Sequence, residues 1–71
     1  MFSEEKINKL RECYKKGCRI ELVYTDDPYT KLVPGDKGTV KCVDDAGQIH
    51  ISWDNGSSLA MIPEIDKIKK I

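Results

Sequence analysis

The chain has 71 residues, 39% of them hydrophobic and 7% aromatic, so it is long enough for one small domain and too short for two. Its twelve basic and twelve acidic residues cancel, which excludes the overall positive charge that marks most free-standing nucleic-acid-binding domains. A domain of this length buries only about 60% of the surface that its unfolded chain exposes, so self-association is expected to add to its stability.

Residues 1–17 are predicted to form an N-terminal α-helix that begins at the cap residue Ser3 and ends at Gly17. The charges of its first and last turns suit the helix dipole: Glu4, Glu5, Lys15 and Lys16. A narrow apolar stripe recurs at helical spacing: Ile7, Leu10 and Tyr14. Together with Phe2, this stripe is more apolar surface than a lone helix usually exposes, so we expect a homodimer or a higher homo-oligomer.

The remaining residues, 18–71, are predicted to form five short β-strands, because apolar and polar side chains alternate with a period of two. The predicted strands are 18–24, 39–43, 48–53, 57–62 and 67–71. A long loop rich in Asp, Pro and Gly follows the first strand, at 25–37. Asn55-Gly56 is typical of a type I′ hairpin turn, and 63–66 is predicted to be a tight turn or a short 3₁₀ segment.

This order of elements predicts a mostly β fold, namely a five-stranded SH3-like barrel preceded by one N-terminal α-helix. The main alternative is an open sheet with the helix across one face, and an OB-type barrel is disfavoured because its usual helix between the third and fourth strands has no room. The predicted core consists of residues that share one side of the strands: Ile20, Leu22, Val40, Ile49, Ile51, Leu59 and Ile68. Trp53 is in phase with Ile49 and Ile51, which favours a core position over an exposed stacking platform.

Cysteine and histidine usage argues against a disulfide framework and against a metal site. Cys13, Cys18 and Cys42 are odd in number and contain no Cys-x-x-Cys pair, so reduced thiols are predicted. If Cys42 faces inward, His50 on the neighbouring strand faces outward, and the two do not share a metal ion. We expect no cofactor. No apolar run approaches a membrane span or a signal-peptide core, which predicts a cytoplasmic protein without membrane association.

Three motifs lie between Asp26 and Ile62: Asp26-Asp27-Pro28-Tyr29-Thr30, Pro34-Gly35 followed by Gly38-Thr39-Val40, and Trp53-Asp54-Asn55-Gly56-Ser57. In these motifs the chain resembles a family of small bacterial and phage or mobile-element proteins, described as a domain of unknown function (domain of unknown function 4314). The resemblance implies an SH3-like fold and a mobile-element setting, in which counter-defence or host-takeover proteins that bind and block a host factor are expected. It implies no catalytic activity.

The charges are strongly polarised along the chain although they cancel overall. Residues 1–19 carry a net charge of +3 and the last five residues another +3, whereas 20–66 carry −6. If the first and last strands are neighbours, the two basic ends form one patch and the loops present an acidic rim. The opposing interpretation is an ordinary solvated surface that favours solubility.

Two groups of residues are candidate ligand contacts. The first group lies in loops and in the hairpin turn: Asp26, Asp27, Tyr29, Lys31 and Asn55. The loop aspartates themselves match no calcium-binding spacing and are interpreted as turn residues. The second group lies at the basic ends: Arg19, Lys67 and Lys69, with Lys70 beside Lys15 and Lys16. These cations suffice for one or two phosphates and are too few to follow a duplex.

Three functions follow as hypotheses, and an enzyme is the least supported because no nucleophile, base and oxyanion donor occur together. The first is a non-enzymatic binding module or inhibitor that engages a host protein through the loops. The second is a homo-oligomeric counter-defence sponge that sequesters a small anionic nucleotide ligand. The third is a barrel that binds nucleic acid weakly through its basic ends, with duplex nucleic acid an unlikely partner.

Overall fold

The computed structural model describes residues 3–26 and 31–71, which form one α-helix and a four-stranded antiparallel sheet. The elements are α1 (Glu4–Cys13), β1 (Arg19–Tyr24), β2 (Lys37–Val43), β3 (Ile49–Trp53) and β4 (Lys67–Lys70). The strand order β3-β2-β1-β4 describes an open sheet. A mostly β fold with an N-terminal helix is therefore confirmed, and the sheet has the open order that the sequence left as an alternative.

The segment predicted as a strand at 57–62 forms only an isolated bridge, in which Ile49 and Met61 exchange two backbone hydrogen bonds of 2.9 and 2.8 Å. Nearer the turn, the Trp53 amide donates to the Ser57 carbonyl over 3.2 Å. Between these contacts the Leu59 carbonyl accepts from the indole Nε1 of Trp53 over 2.9 Å. This side-chain bond occupies the carbonyl that a continuous strand pairing would use, which explains why the described residues contain four strands instead of five.

The predicted core is confirmed for the residues at the centre of the sheet. These are at most 1% exposed: Ile20, Leu22, Val40, Ile49 and Ile51. Leu59 and Ile68 are only partly buried and pack against that cluster from its margin. Trp53 is 3% exposed, so its predicted core position is also confirmed. Met61 belongs to the core as well, because its bridge to Ile49 directs its side chain to the same inner face.

The helix begins as predicted, since the Ser3 hydroxyl oxygen accepts from the Lys6 amide over 3.2 Å. It ends at Cys13, so Lys15 and Lys16 lie beyond its last turn, contrary to the prediction. The reason is that the amide of Gly17, with φ of 92°, donates to the Val40 carbonyl at 2.8 Å, which requires the chain to leave the helix early.

The helical stripe is covered by this chain's own sheet. Ile7 is buried, and Leu10 and Tyr14 pack against the core cluster. Phe2 lies outside the described residues. The described part of the stripe is therefore not a free apolar surface. It gives no support to the prediction of self-association.

The turn at 44–47 (the first hairpin) and the turn at 53–56 (the second hairpin) have the same geometry. It differs from the type I′ turn predicted for Asn55-Gly56. In the second hairpin the Gly56 amide donates to the Trp53 carbonyl at 3.0 Å, and Gly56 has φ of 89° while Asn55 does not have a positive φ. This is a type I turn closed by a left-handed glycine. The Asn55 side chain instead accepts from the Ser57 amide at 2.9 Å. Gly47 closes the first hairpin in the same way, with φ of 83°.

A bulge in β2 reverses the predicted orientation of Cys42. The pairing with β3 shifts between Val40 and Cys42, so Val40 and Val43 are buried while Cys42 is exposed directly opposite His50. The argument that placed Cys42 and His50 on opposite faces is therefore wrong. Even so, the described residues contain no group of three or more side chains suited to a metal ion. Among these residues, no helix is long and apolar enough to cross a membrane.

Candidate binding surfaces

The long loop and the second hairpin turn lie at the same end of the sheet, where β1 and β3 end and β2 and β4 begin. The candidate residues Asp26, Lys31 and Asn55 are exposed at this end. The other two loop candidates, Asp27 and Tyr29, lie outside the described residues. The topology thus brings the described loop candidates to one end of the molecule, although Asn55 is engaged in its own turn.

A buried aspartate fixes the start of the long loop. Asp66 is only 8% exposed, and its Oδ1 accepts from the Thr25 hydroxyl at 2.8 Å and from the Asp26 amide at 3.1 Å. Its Oδ2 accepts from the Ile62 amide at 2.9 Å. Asp66 therefore ties the end of β1 to the turn before β4. The sequence pattern predicts a turn at 63–66 but not this role, because two of the three partners of Asp66, Thr25 and Asp26, are about forty residues away.

An apolar depression opens beside this aspartate. Its walls are Thr25 and Asp26 on one side and the turn before β4 on the other, and its remaining lining is mostly apolar: Leu59, Ala60, Ile62 and Ile65. Ile65 is 47% exposed at its margin. Tyr24, 49% exposed, donates its hydroxyl to Asp26 at 3.3 Å, and this carboxylate raises the pKa of the Tyr24 phenol. We call this region the loop-end surface.

The outer face of the sheet carries a ladder of alternating charges. Glu21 is flanked by Lys37 on β2 and by Lys69 on β4, with Nζ–O distances of 3.9 and 3.2 Å. Arg19 forms a two-pronged pair with Asp54, at 2.8 and 2.7 Å. The Arg19 guanidinium lowers the pKa of the Asp54 carboxyl by hydrogen bonding. Two of the predicted phosphate contacts, Arg19 and Lys69, are thus already paired with carboxylates.

Of the other predicted basic residues, Lys70 lies on the opposite side of the sheet. It is opposite Ile20, a fully buried residue of the inner face, and its Nζ lies 5.6 Å from the centre of the Tyr14 ring. Lys67 is two residues from Lys69, so alternation assigns it to the outer face with Lys69. The β1–β4 pairing does bring the basic ends of the chain together, but strand alternation divides them between two faces.

A second polar cluster organises the first hairpin. Asp44 accepts from the Ala46 and Gln48 amides, both at 2.9 Å, through Oδ1, and its Oδ2 lies 2.7 Å from His50 Nε2. The bond to His50 is the main reason that the pKa of Asp44 is lowered. The interpretation of this aspartate as a turn residue is confirmed. Its contact with His50 is not predictable from the turn motif alone, because His50 lies on the following strand.

The fold and these surfaces define a class: a small antiparallel β-sheet domain covered by one helix, with solvent-facing charged surfaces. The chain belongs to the family described as Domain of unknown function (DUF4314), whose model matches residues 3–71. The resemblance noted from the motifs is thereby confirmed. No curated protein and no solved structure matches the chain.

Proposed function

We propose that the protein is a non-enzymatic binding module that acts on a host protein, as an inhibitor of phage or mobile-element type, and that it docks through the loop-end surface. The observation that carries this proposal is the partly exposed apolar depression beside Asp66. Ile65 stands 47% exposed at its margin although a small domain gains stability by burying such a side chain. An apolar centre with polar margins is the usual anatomy of a docking surface.

The charges around the loop-end surface indicate the chemistry of the partner. Asp26 lines the depression, Glu64 lies next to Ile65, and both are exposed. Glu64 is partly offset by Lys6, at 3.0 Å. A partner with an apolar projection surrounded by basic residues would match this surface, because complementary charge steers association and disfavours wrong partners.

The rigidity of the surface also favours binding. Asp66 holds Thr25, Asp26 and Ile62 by three hydrogen bonds of 2.8 to 3.1 Å, so the two walls of the depression are fixed before a partner arrives. A preformed surface loses less conformational entropy on binding than one that must be ordered.

We further propose that the sheet is a reduced SH3-like barrel, in which the fourth predicted strand, 57–62, survives as the Ile49–Met61 bridge. Three features support this: β1 pairs with both β2 and β4, the chain after Trp53 returns along β3, and a tight turn at 62–66 leads into β4. Slow amide exchange at Met61 and Ile49, comparable to that of β2, would support closure. Exchange as fast as in the turns would contradict it.

The docking proposal is tested with Ile65→Lys and the matched variant Ile71→Lys. Both residues are about half exposed, at 47% and 56%, so neither change opens the core. Tagged wild type and variants are incubated with nuclease-treated lysate of the source cells, and bound proteins are identified. We expect one protein to be retained by wild type and by Ile71→Lys and lost with Ile65→Lys.

The purified partner is then titrated with each form of the protein. We expect a weakening of at least about tenfold for Ile65→Lys, since buried apolar anchors dominate interface energies, and added DNA should not compete. Equal retention by all three forms, or no specifically retained protein, would contradict the proposal.

A further inference from the structure

The basic residues divide into those with a carboxylate partner and those without one. Five of the twelve are paired: Lys6, Arg11, Arg19, Lys37 and Lys69. The other seven have no carboxylate partner among residues 3–26 and 31–71: Lys9, Lys15, Lys16, Lys31, Lys41, Lys67 and Lys70. Unpaired lysines are ordinary on a surface, so their spatial distribution is the informative property.

Four of these seven lysines lie around Tyr14. Lys15, Lys16 and Lys41 line a groove between the end of α1 and the bulge of β2, and Tyr14 forms part of that groove. The fourth lysine, Lys70, lies over the ring itself. We call this region the Tyr14 surface.

The backbone geometry concentrates these charges. The helix ends before Lys15 and Lys16, and the Gly17–Val40 hydrogen bond draws this turn against β2. The bulge between Val40 and Cys42 leaves Lys41 exposed beside it. Lys15, Lys16, Lys41 and Lys70 have no carboxylate within ion-pair distance among the described residues, and Asp45 is paired with Arg11 at 2.8 Å. The Tyr14 surface therefore keeps a positive potential on a molecule with no net charge.

We propose that the Tyr14 surface binds the phosphate backbone of a single-stranded nucleic acid. Three of its cations line one groove and the fourth lies over the aromatic ring at the edge of that groove, which suits successive phosphates of a flexible chain better than the phosphates of one mononucleotide. Lys70 is held over the ring of Tyr14, so part of the site is ordered before the ligand binds. The proposal is independent of protein docking at the loop-end surface.

A duplex fits this surface less well than a single strand. Three of the four cations line one groove, whereas a rigid duplex presents a broad convex charge array. A flexible strand can follow the groove and bring successive phosphates to these cations.

The test measures binding of a fluorescein-labelled twelve-residue oligothymidylate by anisotropy, at 50 and 200 mM salt. Three to four phosphate contacts on a single strand give a slope of about −2 to −3 in log K against log salt, so affinity should fall by about 20- to 50-fold over this interval. We expect measurable binding at 50 mM salt and this dependence. An absence of binding at 50 mM salt would overturn the proposal.

The site is located with two double charge reversals of equal net change. Lys15→Glu with Lys41→Glu changes the Tyr14 surface, and Lys9→Glu with Lys31→Glu changes two exposed lysines elsewhere. We expect a loss of at least about tenfold for the first pair and about twofold or less for the second. Equal losses would mean that binding is diffuse and would overturn the proposal. The milder change Lys70→Gln removes the cation over the Tyr14 ring and should also weaken binding.

Three competitors distinguish the sources of phosphate. Unlabelled oligothymidylate should displace the probe at its own binding constant, whereas duplex of the same length and inorganic pyrophosphate should displace it at least about tenfold less well. Equal or better competition by duplex or by pyrophosphate would overturn the assignment to a single strand. Unchanged Trp53 fluorescence and thermal midpoints confirm that each variant is folded.

Discussion

Lys69 and Lys70 are neighbours in the chain, but the structure gives them opposite environments. Lys69 lies on the outer face of the sheet, where its Nζ is 3.2 Å from Glu21 in the charge ladder. Lys70 lies on the inner side, above the ring of Tyr14 and without a carboxylate partner among the described residues. The comparison shows that the register of β4 against β1, more than the number of lysines, determines which charges remain available to a ligand.

The same alternation separates stability from binding. Inner-face residues of β1, β2 and β3 form the core, and outer-face residues satisfy one another's charges at the surface. Changes to the inner face should therefore unfold the protein, whereas changes to the outer face should leave its stability nearly unaltered. Five experiments test this difference, beginning with the change of largest expected effect.

Ile51→Ala should remove the most stability, because Ile51 is 1% exposed at the centre of the core. We expect a loss of about 2 to 5 kcal/mol in the free energy of unfolding from the lost burial and the cavity. Ser52→Ala, an exposed outer-face position on the same strand, should stay within about 0.5 kcal/mol. Urea unfolding followed by Trp53 fluorescence measures both. A free energy of unfolding for Ile51→Ala within about 0.5 kcal/mol of wild type would refute the assignment of faces.

Gly38→Ala should be the next most damaging change, because it overfills the inner face. A methyl group at Gly38 would lie 2.6 Å from Ile51 Cγ2, 3.0 Å from the Ser52 carbonyl oxygen and 3.1 Å from Trp53 Cε3. Since one of these neighbours is backbone, relief requires movement of β3, and we expect a cost of about 1 to 3 kcal/mol. Thermal unfolding tests this, and a variant as stable as wild type would mean that β3 moves freely.

Asp66→Asn tests the connection between the inner face and the loop-end surface. In the wild type, both carboxylate oxygens accept from N–H or O–H donors. The side-chain amide of the variant keeps one acceptor oxygen but places an NH₂ group against donors. A buried donor without an acceptor costs about 1 to 3 kcal/mol. Hydrogen exchange should accelerate at the Asp26 and Ile62 amides before the core exchanges. The exposed change Glu64→Gln is the matched control and should leave both amides protected.

The outcomes for particular residues show what the sequence could predict. Strand alternation correctly placed Ile20, Ile51 and Trp53 in the core, because a period of two follows directly from strand geometry. It failed for Cys42, because a β-bulge depends on how two strands pair and adds one residue to the period. The sequence also predicted that Arg19 and Lys69 lie close together, but not that each pairs with a carboxylate. Such pairing depends on the strand register, which the sequence pattern does not reveal.

Long-range polar contacts were the other source of error. The segment Pro63-Glu64-Ile65-Asp66 does not indicate whether its aspartate faces solvent or binds distant residues. Thr25, which binds Asp66, lies 41 positions away. The turn at Asn55 was misassigned because Asn-Gly also suits a type I turn closed by glycine, and the choice between the two depends on the strands that it joins. Local patterns thus predicted the elements, while the sites depend on their assembly.

Asp44 allows a pH test of the first hairpin. Its pKa is lowered in the folded state, chiefly by the hydrogen bond to His50, so ionised Asp44 stabilises the fold above the ordinary aspartate pKa. That contribution is lost as the pH falls through the lowered value. The stability difference between wild type and Asp44→Asn should therefore be constant above about pH 5 and shrink below about pH 4. Urea titrations at pH 7, 5, 4 and 3 measure this difference.

His50→Gln should weaken this pH dependence. An unchanged dependence would contradict the hydrogen bond to His50 as the main cause of the lowered Asp44 pKa.

Glu21→Gln, at the centre of the charge ladder, should have the smallest effect. The Lys37 and Lys69 side chains that flank it are more than half exposed, at 51% and 59%, so water and salt screen their attraction to the carboxylate. We expect a loss of less than about 1 kcal/mol at low salt that disappears near 1 M salt. The same change removes the carboxylate partner of both lysines. We expect it to strengthen oligothymidylate binding only slightly, because the outer face is not the proposed binding site. A loss above about 2 kcal/mol, or one that salt does not reduce, would mean that the outer face contributes to stability as the inner face does.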